Sequence, residues 1–168
     1  MNIEVNLNNL TKEEQEQFNA LVEKANKPKS KVWKPINGER YYLVHLGIVG
    51  GIDCFEYTEG KFDERTYSIG NCFRTVEEAE FALERLKVIA EMKRYIAEHD
   101  DVELDWSNDT QQKCILTYDH ALKLISVDSF SLVQEIETSL YTSSREIMKS
   151  MINEIGEDRI KKYYFGVE

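Results

Sequence analysis

The chain has 168 residues, with 31 acidic and 21 basic side chains, a formal net charge of −10, and 42% hydrophobic residues. Two prolines and eight glycines exclude collagen-like and low-complexity classes, and the composition is that of a folded protein. The acidic excess disfavours a broad nucleic-acid surface or an anionic membrane, no apolar run nears the roughly 20 residues of a membrane helix, and no charged-then-apolar leader opens the chain.

The first element is a helix. Thr11-Lys12-Glu13-Glu14 is a capping box, in which hydroxyl and carboxylate each satisfy an orphan backbone N–H. Phe18, Leu21, Val22 and Ala25 then fall on one helical face, and Asn26 to Lys31 reads as a linker.

Strand formers follow. Tyr41–Val44 and Ile52–Tyr57 flank Gly47, Gly50 and Gly51 and predict a hairpin. Glu59-Gly60-Lys61 marks a turn, and Tyr67-Ser68-Ile69 is expected as a short third strand.

A long helix is predicted from about Val76 to Glu98, capped by Thr75-Val76-Glu77-Glu78. It carries two apolar stripes, Ala79-Ala82-Leu83-Leu86-Ile89-Ala90-Ile96 and Phe81-Val88-Met92-Tyr95, so it meets structure on two sides, or on one side plus a partner. Residues 98–109 then hold six acids and no base. The ligand order of an EF-hand is missing, so a solvated acidic loop with Trp106 pinned in it is the reading.

The last segment repeats the plan. Cys114–Tyr118 and Leu122–Val127 form a hairpin around Asp119-His120-Ala121, and Ile136–Tyr141 is a third strand. Ser143-Ser144-Arg145-Glu146 reads as a capping box, Ile147, Met148, Met151, Ile152 and Ile155 as a helix face, and Gly156 as its stop. A last short helical turn follows, and the aromatic tail Tyr163-Tyr164-Phe165 docks.

At an offset of 68, Phe73-x-Thr75-x-x-Glu78-Ala79 lies over Tyr141-x-Ser143-x-x-Glu146-Ile147. The fold expected is therefore α+β: an N-terminal helix followed by two tandem β-β-β-α units, each an antiparallel sheet with a packed helix. The boundaries are 1–31 for helix and linker, 32–99 for the first unit, and 100–168 for the second unit and tail.

Reactive signatures are missing. His45, His99 and His120 stand apart from any nucleophile or second ligand at a motif spacing, and no nucleophile elbow, zinc helix or phosphate loop occurs. Cys54, Cys72 and Cys114 are an odd number with no C-x-x-C, and read as small reduced hydrophobes of a reducing cytoplasm. No catalytic residue, metal or cofactor is expected.

Three runs carry a resemblance: Val32-Trp33-Lys34-Pro35 with Gly38-Glu39-x-Tyr41-Tyr42, then Ile69-Gly70-Asn71-x-Phe73-x-Thr75-x-Glu77-Glu78-Ala79-Glu80, then Glu154 to Val167. From Leu7 onward the chain resembles a family of small, mostly uncharacterised phage and prophage proteins of Gram-positive bacteria. The resemblance implies a host bacterial cytoplasm during infection or lysogeny, and brings no catalytic residues. The second unit departs from the first at Arg145 and Lys149, where the first has Glu77 and Phe81.

The function expected is that of a non-enzymatic accessory protein. It would bind and inhibit a host defence protein, as anti-CRISPR inhibitors do, with carboxylates imitating phosphates in a basic channel. The candidate contacts are Glu77, Glu80, Glu84, Asp100, Asp101, Glu103 and Asp105. One alternative is a DNA-binding module that uses a three-stranded sheet and the lysines Lys27, Lys29, Lys31 and Lys34. Another is a nucleotide-sequestering protein with an aromatic groove of Tyr41, Tyr42 and Tyr118. The N-terminal helix is a further candidate surface, for a homodimer.

Overall fold

The computed structural model describes residues 10–26, 32–47, 49–131, 135 and 139–167. The lysines Lys27, Lys29 and Lys31, and the first half (136–138) of the strand expected over 136–141, lie outside them. The chain forms two compact units, Met1–Lys34 and Pro35–Glu168.

The first unit holds helix α1, Lys12–Asn26. Its capping box is formed as expected. Thr11 Oγ1 accepts the Glu14 N–H at 3.3 Å, and Glu14 Oε2 accepts the Thr11 N–H at 2.8 Å. Hydrogen bonds from the Thr11 backbone and hydroxyl hold the Glu14 carboxyl below its ordinary range.

The second unit mixes helix and strand, an α+β arrangement with two small antiparallel sheets. It opens with a hairpin, β1 Arg40–Val44 and β2 Ile52–Glu56, registered Tyr42 to Cys54. Glycines at φ +91° (Gly50) and +73° (Gly51) turn the chain between them. Behind this sheet Tyr41 and Tyr57 meet edge to face at 5.9 Å, both wholly buried.

Helix α2, Lys61–Ser68, stands where the third strand at Tyr67–Ile69 was expected. Local hydrogen bonding overrides strand propensity here. Glu59 takes φ +59°, and one Asp63 oxygen then accepts the N–H of Thr58 at 2.8 Å, the Thr58 hydroxyl at 2.8 Å and the Gly60 N–H at 3.2 Å. The other oxygen accepts the Tyr41 phenol at 2.8 Å. These bonds start a helix and anchor it to β1. The sheet's third member is a single antiparallel bridge between Tyr42 and Phe73.

Helix α3, Val76–His99, is capped by Thr75, which accepts the Glu78 N–H. The acidic loop leads to β3 Lys113–Asp119 and β4 Leu124–Phe130, with β5 Tyr141–Thr142 on the other edge of β3. β4 begins at Leu124, not Leu122, because Asp119 Oδ1 accepts the N–H of both Ala121 and Leu122 and so lengthens the turn.

Helix α4, Arg145–Ile155, is capped one residue later than the repeat implied. Ser144 accepts the Ile147 N–H, whereas Ser143 is held by Asp100, so Ser143-to-Glu146 is not the capping box. Gly156 at φ +98° ends the helix. Then come α5, Glu157–Arg159, and a wide π-helical turn over Ile160–Phe165. The aromatic tail docks as expected: Phe165 packs on Tyr118 and Tyr163 on Phe81.

The main core joins Val88, Met92 and Tyr95 of α3 to Cys114, Leu116 and Val127 of the sheet and to Met148, Met151 and Ile155 of α4. Met92, Met148 and Met151 are wholly buried. Truncating any of them to alanine costs about 2–5 kcal/mol.

Candidate functional site

Everything that surrounds the expected contacts is organised by α3. Its sequence holds no glycine or proline, and Glu77 and Glu78 sit in the first turn, where the helix dipole favours acids. The buried residues change side along it. Ala79 and Leu83 are buried in the first half, and Val88, Met92 and Tyr95 in the second. At about 100° per residue, Val88 points half a turn away from Ala79. The first half packs on β1 and β2, where Leu83 meets Gly51, and the second half on α4 and the π-helical turn. Of the first stripe read from the sequence only Ala79 and Leu83 are buried, while Leu86 is exposed; of the second, Val88, Met92 and Tyr95 are buried. Among the described residues, two faces of α3 are left uncovered.

One open face carries the expected acids. Glu77, Glu80 and Glu84 line a shallow cup of about 550 Å³, closed by Tyr163 of the docked tail. The Glu77 backbone N–H and the Thr75 hydroxyl hold the Glu77 carboxyl below the ordinary range. Glu80 has no ion-pair or hydrogen-bond partner among the described residues. The cup is not purely acidic. Lys87 pairs with Glu84 at 2.5 Å, and Lys162 enters the lining from above the Tyr163 ring.

At the offset of 68 this strip has no counterpart, since Glu77, Glu80 and Glu84 fall on Arg145, Met148 and Ile152. Met148 is buried in the core, and Arg145 donates to the Val127 carbonyl and, at 3.1 Å, to Ser129 Oγ. The acidic strip belongs to the first half alone.

The loop acids divide. Asp100 Oδ2 accepts the Ser143 N–H and Oδ1 the Ser143 hydroxyl, both at 2.6 Å. Asp105 accepts Ser107 through its hydroxyl at 2.6 Å and its N–H at 2.8 Å, which holds the Asp105 carboxyl low. Both side chains are engaged in folding the loop. Asp101 and Glu103 are exposed. Nearby, Lys113 is wholly buried, as sequence reasoning missed. Its ammonium donates to the Asn108 and Gln111 carbonyls at 3.1 and 3.2 Å and lies 5.3 Å from the centre of the Trp106 ring.

The other expected groups are dispersed. Tyr41 is wholly buried with its hydroxyl on Asp63, so it lines no nucleotide groove. His45 lies 3.4 Å from Asp53, His99 stacks on Tyr95, and His120 meets Tyr118 edge on. Cys114 is buried, Cys72 is half-buried and Cys54 is exposed, all as free thiols; the exposed Cys54 departs from the expected packed hydrophobe. Among the described residues no three His, Cys, Asp or Glu side chains gather as a metal site requires, and no helix is long and apolar enough to cross a membrane.

No family model, curated protein or solved structure matches the chain.

Proposed function

We propose that the protein is a non-enzymatic phage accessory protein of the host bacterial cytoplasm. The acidic strip of α3 engages the basic nucleic-acid channel of a host defence effector. One observation carries this reading: Glu77, Glu80 and Glu84 stand exposed or half-exposed on one face of a rigid helix, whereas the residues at the same distances from the α4 cap, the exposed Glu146, Lys149 and Asn153, are mixed in charge. Carboxylates on a fixed scaffold steer association electrostatically and need no induced order. Asp101 and Glu103 extend the negative surface, whereas Asp100 and Asp105 support the loop that carries them.

The test is binding of the purified chain to host nucleases at low and high salt. Binding that weakens with salt, and is lost in a Glu77→Gln, Glu80→Gln, Glu84→Gln variant of unchanged melting temperature, supports the reading. Undiminished binding by that variant, or no binding to any nuclease at low salt, refutes it.

A further inference from the structure

Asn37-Gly38 is the one Asn-Gly pair in the chain. Both residues are exposed and form the centre of a turn, which the Glu39 N–H closes onto the Ile36 carbonyl at 2.9 Å. Gly38 takes φ +84°, the conformation that the third position of a type II turn demands. Apart from its chain neighbours, no atom lies within 4 Å of where a Gly38 Cβ would stand, so this stretch of backbone is open to water.

The Asn37 carboxamide has no hydrogen-bond partner among the described residues. Four described asparagines elsewhere are held. Asn71 pairs with both the N–H and the carbonyl of Val44, at 2.9 and 3.0 Å, and Asn108 accepts from Thr110 and Gln111. Asn19 and Asn153 lie inside helices, where the backbone N–H that follows is bonded in the ladder.

We propose that Asn37 is a site of spontaneous deamidation whose rate is gated by one backbone hydrogen bond. The Gly38 N–H donates to the Tyr57 carbonyl at 2.8 Å, at the end of the β1–β2 ladder away from its turn. When that bond opens, the Gly38 nitrogen bonds to the Asn37 side-chain carbonyl carbon. The carboxamide C–N bond breaks, and ammonia leaves with the proton that the Gly38 nitrogen gives up. Water then adds to either carbonyl of the five-membered imide. One opening gives aspartate. The other gives isoaspartate, in which the chain runs through the former side chain.

Each event adds one negative charge to a chain already at −10. Isoaspartate also lengthens the backbone of the turn by one carbon. The Ile36–Glu39 closure and the Gly38–Tyr57 bond then cannot keep a common register. Tyr57, wholly buried against Tyr41, loses one of the bonds that restrain it, so the isoaspartate form melts lower.

The test is peptide mapping by mass spectrometry on the full chain, aged in mildly alkaline water labelled with heavy oxygen. The expected result is uptake of one heavy oxygen atom at position 37, mostly as isoaspartate, before any change at Asn19, Asn71, Asn108 or Asn153. In urea, where the Tyr57 bond is lost, conversion of Asn37 runs about threefold or more faster. Asn37→Asp supplies the charge without the extra backbone carbon, so it keeps the melting temperature of the fresh chain, whereas the isoaspartate fraction melts lower. An aged chain in which another of these asparagines converts first overturns the proposal. So does a product at position 37 without isoaspartate, or an equal rate in folded and urea-unfolded chain, which would leave the Tyr57 bond no part in the reaction.

Discussion

Asp100, the residue that closes α3, holds Ser143 with both of its carboxylate oxygens, 43 residues further along the chain. The contact fastens the end of the long helix to the turn between β5 and α4. Charge-assisted bonds of this kind contribute about 1.5–3 kcal/mol each when well formed. Asp100→Ala should lower the free energy of unfolding by about 2–3 kcal/mol in urea titration. Asp101→Asn, on an exposed neighbour, should change it by less than about 0.5 kcal/mol. If both substitutions are neutral, the Asp100 clasp does not stabilise the fold.

Asp63 sets a pH dependence. Burial acts against its charge, but bonds from the Thr58 N–H and hydroxyl, the Tyr41 phenol and the Gly60 N–H outweigh burial and hold its carboxyl below the ordinary range. Its stabilisation is thus complete above the unfolded value of about 3.9 and is lost as pH falls through the lower, folded value. Asp63→Asn should cost about 3 kcal/mol at pH 7 and flatten the acid limb of a stability–pH curve below about pH 4. An unchanged acid limb would count against this assignment. The Tyr41 phenol is pushed far up, by burial first and then by Asp63, so it should not ionise in an alkaline ultraviolet titration of the folded protein.

Gly51 is constrained twice. It takes φ +73°, and a Cβ there would stand 2.8 Å from Leu83 Cδ2. Gly51→Ala should lower stability by about 1–2 kcal/mol. Adding Leu83→Ala removes the clash but not the backbone strain, so the two substitutions should be non-additive in a double-mutant cycle.

The Arg159 guanidinium grips Glu91 through two bonds, at 2.8 and 3.2 Å. Those bonds hold the Glu91 carboxyl low and the Arg159 guanidinium high. Both side chains are a third or more exposed, so screening limits the pair. Arg159→Lys should cost less than about 1 kcal/mol, and the loss should shrink in 1 M salt.

Lys113 offers a harsher test. Lys113→Met keeps the volume but orphans the Asn108 and Gln111 carbonyls and removes the cation from Trp106. A loss of about 1–3 kcal/mol and a shift in Trp106 fluorescence are expected. A neutral substitution would show that water satisfies those carbonyls.

Much of this protein is local physics and was legible in the residues. The Thr11 and Thr75 caps, the span of α3, both hairpins and the stop at Gly156 each follow from short-range hydrogen bonding and side-chain periodicity. The acids of α3 were also legible, because a charge on an uninterrupted helix has a face that spacing alone determines. What the residues could not show were choices made between distant groups. Tyr67–Ile69 has strand propensity, yet Asp63 gathers four donors and α2 forms instead. Ser143 looks like a cap, yet Asp100 takes it and the cap moves to Ser144. Asp100 and Asp105 look like free charges beside Asp101 and Glu103, and only their bonds to Ser143 and Ser107 separate the two kinds. Sequence by itself determined which elements form and which faces are apolar or charged. Tertiary structure decided which polar groups are consumed in holding those elements together and which stay open, because a buried hydrogen bond depends on partners that the chain brings from far away.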